Sequence, residues 1–295
     1  MKYTYKKFFL PEFSKTLGPR NISYFSFFTD ESVQTELDTL FERVISEYGK
    51  KHFPIYRLCD AEYMYIIGRR VPKTYMSLIS KISFLSKNLL ISLNLINQKT
   101  WHGENYSIAQ KRKMKKKYLE DLTKIADQGY LAPHLLLSEG RFCEEYNEPM
   151  VDFFRKNNIK FSKENYLPFY FVYVVLSLKK FKRVLFENKK VLIVTSFNER
   201  KLKSSFETEL KKEGVTDVYF YEISASKSML EVINQSLLPE KVDLVLIGAG
   251  IGSANIMNQL KSLNAICIDA GHALDCFSKP DLRKERICLY PDEMQ

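Results

Sequence analysis

Residues 242–272 read VDLVLIGAGIGSANIMNQLKSLNAICIDAGH. A mostly apolar run at 242–247 stops at Gly248-Ala249-Gly250-Ile251-Gly252. A helix is expected over 253–263, then a short strand over 265–268 that ends in Asp269-Ala270-Gly271-His272. Strand, small-residue turn, helix, strand is one unit of a parallel sheet. Near-continuous apolar strands of this kind are covered on both faces.

The same alternation extends upstream. KVLIVT at 190–195 reads as a buried strand, 199–214 as a helix closed by Gly214, DVYFYEI at 217–223 as a strand and 227–238 as a helix. The expected class is therefore α/β, with a Rossmann-like parallel sheet and helices on both faces. Nearer the start, 30–50 reads as one amphipathic helix, with Val33, Leu37, Leu40, Phe41, Val44 and Ile45 at helical spacing. HFPIYRL at 52–58 reads as a strand, and an apolar helix pattern follows it. The middle, 73–180, reads as mostly helical, with loops near 101–106 and 129–133. No repeat or linker divides the chain, so one domain over 1–295 is expected, with a helical segment at 1–50 and a nucleotide-side half at 188–277.

Ligands of such sheets bind at the carboxyl ends of the strands, and the polar motifs fall there. Arg57-Leu58-Cys59-Asp60-Ala61-Glu62 places two carboxylates on one turn. Asp60 and Glu62 suit a hard divalent cation, Mg²⁺ or Mn²⁺, and Arg57 suits a phosphate. The plain alternative is a helix start, with Asp60 as cap and Glu62 favoured by the helix dipole. Gly248, Ala249 and Gly250 let the backbone approach a phosphate; the alternative is a tight turn without a ligand. The glycine spacing departs from a dinucleotide fingerprint at Ser253, although Asp269 sits near the ribose-binding distance. Asp269 and His272 are candidates for acid–base or acceptor-side work. Ser196, Asn198 and Arg200, after strand 190–195, are candidates for donor binding, with capping by Ser196 or Asn198 as the equal alternative. Trp101-His102-Gly103-Glu104-Asn105-Tyr106 could meet a sugar or base, or could simply anchor a loop.

The 295 residues are 45% hydrophobic and 27% charged, enough to bury a core without disulfides or a structural metal. The net charge of +10 is concentrated in runs at 111–117, 179–183 and 189–190. These are solvated faces or sites of attraction to anionic lipid or phosphorylated substrate. No helix-turn-helix, zinc-finger or RNA-stacking pattern accompanies them, and nucleic acid is not expected. Cys59, Cys143, Cys267, Cys276 and Cys288 form no CxxC, which points to a reducing compartment. The start of the chain does not read as a signal peptide, and the longest apolar run, 167–178, is shorter than the roughly 20 residues that span a bilayer. The cytoplasm is expected, with peripheral membrane contact through the basic runs as an option.

Taken together, the pieces resemble the GT-D-fold glycosyltransferases of bacteria. That family carries an early Arg-x-Gly-Asp-Gly-Glu-type motif, where this chain has Arg57 to Glu62. Late in the chain it carries an apolar strand, a small-residue Gly loop, a helix and a strand closing in Asp-x-Gly-His, where this chain has Gly248-Ala249-Gly250 and Asp269-Ala270-Gly271-His272. The segment from Lys190 through Glu199-Arg200 is similar to the family's nucleotide-side strand. The resemblance implies a metal on Asp60 and Glu62, a UDP-sugar donor near Gly248 and Gly250, His272 on the donor side, and a glycan, glycoprotein or lipid-linked acceptor. Cys59 and Ala61 stand where the family has glycines. The rival readings are an NAD- or SAM-dependent enzyme built on the Gly248–Gly252 loop and Asp269, and a non-enzymatic module for anionic ligands.

Overall fold

The computed structural model describes residues 4–10, 20–66, 77–92, 107–137, 141–197 and 202–278. Six parallel strands form the main sheet in the order β4-β3-β8-β7-β5-β6. They are β3 (Phe53–Leu58), β4 (Tyr130–Pro133), β5 (Lys190–Thr195), β6 (Asp217–Glu222), β7 (Leu244–Gly248) and β8 (Ile266–Asp269). Every residue of β3, β4 and β8 is buried, as expected for parallel strands covered on both sides.

Alternate residues of each strand feed two cores. Val191, Ile193, Leu244 and Leu246 face one side with helices α1 (Val33–Ile45), α6 (Phe171–Ser177), α7 (Lys179–Phe186), α8 (Lys203–Lys212) and α10 (Ala273–Ser278). Leu192, Val194, Val245 and Ile247 face the other with α2 (Asp60–Ile66), α4 (Ile108–Gln128), α5 (Arg141–Lys156) and α9 (Ser253–Gln259). The described side chains of helix α3 (Leu78–Ser92) contribute to neither core. Going across β5, β7, β8 and β3, the chain leaves each strand for the opposite face from its neighbour, to α8, α9, α10 and α2 in turn. Each pair of adjacent strand ends is therefore a switch point.

Several expectations need correction. Residues 1–50 are not wholly helical: β1 (Thr4–Leu10) and β2 (Arg20–Ser26) pair antiparallel ahead of α1. Their aromatic and β-branched residues favour strands. The buried Glu36 carboxylate of α1 joins the ribbon, accepting from Lys6 Nζ at 2.8 Å, Tyr24 Oη at 2.9 Å and Ser26 Oγ at 3.0 Å. Residues 130–133, read as loop, form edge strand β4, because Gly129 approaches Pro54 more closely than any side chain permits: a Cβ there would lie 1.9 Å from the Pro54 carbonyl oxygen.

Residues 227–238 are turns and a 3₁₀ segment rather than a helix. Polar side chains hold that backbone instead: Glu231 accepts from Ser224 N, and Asn255 and Gln259 take the carbonyls of Ser228 and Glu231. Within the expected helix 199–214, the described helix is α8, which ends as foreseen. Gly214 takes φ +87°, and Val215 N donates to Leu210 O at 3.1 Å, completing a Schellman closure. The helix expected over 253–263 ends at Gln259, and Asn264 turns at φ 47°. Among the described residues no helix is long and apolar enough to cross a membrane.

His52, just before β3, tests the packing at the amino end of the sheet. Its Nδ1 lies 3.7 Å from the buried Cys267 thiol, and its Nε2 has no hydrogen-bond partner among the described residues. Burial, helped by nearby Lys261, pushes its pKa down to about 4. The unfolded chain thus takes the proton first. Stability is unaffected above the ordinary value of about 6.5, falls as pH drops from there towards 4, and levels off below it. The expected loss is about 1–3 kcal/mol, and it is absent from His52→Gln. Urea denaturation of both proteins at pH 7 and pH 4.5 checks this; parallel losses in the two would remove the assignment to His52.

Candidate active site

Strand β3 pairs with β8 in register Ile55↔Ile268, so the Arg57 and Asp269 motifs end side by side. The Arg57 guanidinium turns inward. Its Nε donates to the Asp269 main-chain oxygen at 2.6 Å and lies 3.8 Å from the Asp269 carboxylate. Its Nη1 donates to the Tyr173 hydroxyl, and the group lies over the rings of Tyr173 and Phe169 at 4.7 and 5.5 Å. Such stacking with directed N–H bonds is what a planar guanidinium does and an ammonium does not. Gly271 makes room for it. The residue takes φ +50°, and a Cβ would fall 1.9 Å from Arg57 Nη2.

Asp269 is buried, with Oδ1 accepting from Ser253 Oγ at 3.0 Å. Burial raises its pKa, while Arg57 and Ser253 hold it back.

Helix α2 begins at Asp60, directly after β3. Glu62 is buried at its first turn, and Oε2 accepts from Cys59 N at 2.9 Å, the reach-back half of a capping box. Burial first, then the Asp269 carboxylate, push its pKa up to about 7 against the opposing pull of Cys59 N–H and Arg57. The Asp60 backbone is described; its side chain is not. Beneath Glu62 the buried Tyr56 and Tyr118 hydroxyls share a hydrogen bond of 2.9 Å. Both phenols are pushed up by burial, with Glu62 and Asp269 adding to it. The arrangement is a buried group of one cation and two carboxyls above a phenol pair. Among the described residues no three His, Cys, Asp or Glu side chains converge as a complete metal cage.

The glycines after β7 have separate reasons. A Cβ on Gly248 would lie 2.7 Å from Leu274 Cδ1, and one on Gly252 would lie 2.2 Å from Ser228 Oγ. Those two serve packing. Gly250 takes φ +55° and has no atom within 4 Å of where a Cβ would stand. Ala249 is buried, with its carbonyl accepting from Ser228 Oγ at 3.0 Å. Thr195 Oγ1 donates to Gly248 O at 2.9 Å and ties the ends of β5 and β7 together. Ser196 follows, half-buried, on this rim. Asn198, Arg200 and the segment 101–106 lie outside the described residues.

His272 stands apart from the buried group. Its side chain is 74% exposed, with Nδ1 3.7 Å from Asp275 Oδ2. It is the titratable group of the Asp269-Ala270-Gly271-His272 turn that meets solvent.

Sequence reading did not single out Tyr173, Phe169 or Tyr118. The available signal was the presence of Tyr166, Tyr170 and Tyr173 in an apolar run, since a buried hydroxyl needs a partner. A groove of about 490 Å³ also opens at the far end of the sheet, between Phe53 and Tyr130. Its lining mixes Arg43, Lys51 and Lys163 with Glu47 and Asp127, and it lies away from the carboxyl ends where these chemical groups meet.

No curated protein and no solved structure matches the chain. Residues 136–277 match the family model described as a GT-D fold-like domain. That span contains α5 to α7, β5 to β8, the Gly248 loop, Asp269 and His272. It leaves out β3 and α2, which bring Arg57 and Glu62 to the same rim. Residues 136–277, on a Rossmann-like parallel sheet, are thus similar to the GT-D fold-like domain.

Proposed function

We propose that this chain is a metal-dependent glycosyltransferase that moves a sugar from a nucleotide-sugar donor, a UDP-sugar by resemblance, to a glycan, glycoprotein or lipid-linked acceptor. The observation that carries the reading is the meeting of Glu62, Asp269 and Arg57 at the carboxyl ends of β3 and β8, in a chain with a glycosyltransferase-type domain.

A divalent cation suits the chemistry of this place. The donor set is oxygen only, and the Glu62 carboxyl is buried beside a second acid. Hard cations such as Mg²⁺ and Mn²⁺ take such ligands and fill their other positions with water and phosphate oxygens. Glu62 would hold the ion with Asp60, two residues before it. When bound, the ion would offset the charge of the departing nucleoside diphosphate.

The remaining tasks fall to the chain itself. Arg57 fixes Asp269 and the turn at Gly271, and so sets the shape of the rim. The open side of Gly250 admits the diphosphate to the main chain, and Ser196 borders the same crevice. His272, exposed at the end of β8, is placed for the acceptor side, where it would hold or take the acceptor hydroxyl proton.

The test is calorimetric titration of UDP and NAD⁺ into the full chain, with and without Mn²⁺. UDP heat that depends on Mn²⁺, with NAD⁺ silent, is expected. NAD⁺ binding without metal would overturn the transferase reading.

A further inference from the structure

Helix α3 presents its apolar side to solvent. Leu78, Ile82, Leu85 and Leu89 recur at 4-3-4 spacing, which is one stripe of an α-helix. Their exposures are 74%, 56%, 52% and 58%, and Ile79 beside them is 81% exposed. Ser77 starts the helix, accepting from Ser80 N through its hydroxyl and from Lys81 N through its carbonyl. Contiguous exposed apolar area of this kind marks an interaction site.

Charge selects the occupant. The sequence LISKISFLSKNLLIS has Lys81 and Lys87 and no acidic residue. The next described helix, α4, buries Met114, Tyr118 and Leu122 on one side. It leaves Arg112, Lys113, Lys115 and Lys116 exposed near its start. An apolar stripe with cations and no anions matches a membrane surface rich in anionic headgroups. A second copy of α3 fits poorly. It would set lysines against lysines, and 15 residues give two heptads where a coiled coil needs three or four. The helix is also too short to span a bilayer, so it would lie in the surface plane.

We infer that α3, with the exposed basic start of α4, is a peripheral docking element for anionic lipid bilayers, with Leu78, Ile82, Leu85 and Leu89 entering the headgroup boundary. The inference stands apart from the transferase reading.

Co-sedimentation of the full chain with phosphatidylglycerol-containing vesicles, against phosphatidylcholine vesicles, tests it. The wild type is expected to pellet with the anionic vesicles only, and less as salt rises. The pair Ile82→Ser and Leu85→Ser is expected to weaken that partition about tenfold or more with an unchanged melting curve, because both side chains are exposed. The pair Arg112→Gln and Lys113→Gln, which leaves the stripe intact, is expected to weaken binding and flatten its salt dependence. Three results would overturn the inference: a wild type that stays in the supernatant, equal binding to both vesicle types, or serine variants that pellet like wild type. A lipid-free dimer, seen by light scattering and split by Ile82→Ser with Leu85→Ser, would assign the stripe to a second copy instead.

Discussion

Replacing Arg57 by Met is expected to lower stability by about 3–5 kcal/mol, the usual cost of removing one partner from a buried charged group. In a chain of this size that is a fall of about 10 °C in melting temperature. Three groups each lose one partner at once: the Asp269 main-chain oxygen, the Asp269 carboxylate and the Tyr173 hydroxyl. Met fills much of the volume, so the loss reports polar contacts more than a cavity. Arg57→Lys keeps the charge but not the planar fork, and is expected to fall between the two.

A double-mutant cycle makes the argument local. Gly271→Ala in the wild type forces a Cβ against Nη2 and strains φ, whereas in Arg57→Met only the left-handed φ remains, worth about 1–2 kcal/mol. The two changes are therefore expected to be non-additive. Strict additivity, or an Arg57→Met protein that melts within a degree or two of wild type, would mean that Arg57 does not organise this rim.

The C-terminal half of the fold was legible because its strands are apolar throughout and are punctuated by small residues. Val191 to Val194 and Leu244 to Ile247 admit hardly any other reading, and Gly214 marks its helix end. The failures share a cause. Residues 227–238 have the composition of a helix, but their backbone partners are side chains on α9, far along the sequence. β4 is only four residues long, and the close approach of Gly129 to Pro54 that allows it is a tertiary fact. The ribbon of β1 and β2 depends on pairing across a connection and on Glu36 reaching back to it.

For the site, the motifs at strand ends were visible, but their adjacency was not. Nothing local says that β3, near the start of the chain, lies beside β8, near its end. That pairing turns two separate acidic motifs into one group with Arg57 between the sheet and Tyr173. It also changes how individual residues read. Gly248 and Gly252 resemble ligand-binding glycines in sequence, yet Leu274 and Ser228 account for them. Gly250 alone of the three keeps open space. Arg57 looks like a phosphate ligand in sequence, yet its donors point into the protein.

The metal role proposed for Glu62 and its place at the helix start can be separated by one substitution. As part of the helix start it accepts from Cys59 N, a task that the Gln carbonyl performs equally well. As a metal ligand it must supply negative charge, which Gln lacks. Glu62→Gln is therefore expected to fold with stability equal to wild type or higher in metal-free buffer, because it removes a charge that burial and Asp269 already disfavour. Transfer from a UDP-sugar, measured by released UDP at saturating Mn²⁺, is expected to fall about a hundredfold or more, since metal stabilisation of the leaving group is worth several kcal/mol. Asp60→Ala is expected to show the same loss, together with loss of Mn²⁺-dependent UDP binding. Glu62→Ala differs from both: it gives up the bond to Cys59 N as well and is expected to cost about 1 kcal/mol of stability. The comparison between Gln and Ala is what decides the role. If Glu62→Gln turns over like wild type while Glu62→Ala is merely less stable, the residue starts a helix and holds no metal. The ion would then have to be held by Asp60 and the donor phosphates, or be dispensable.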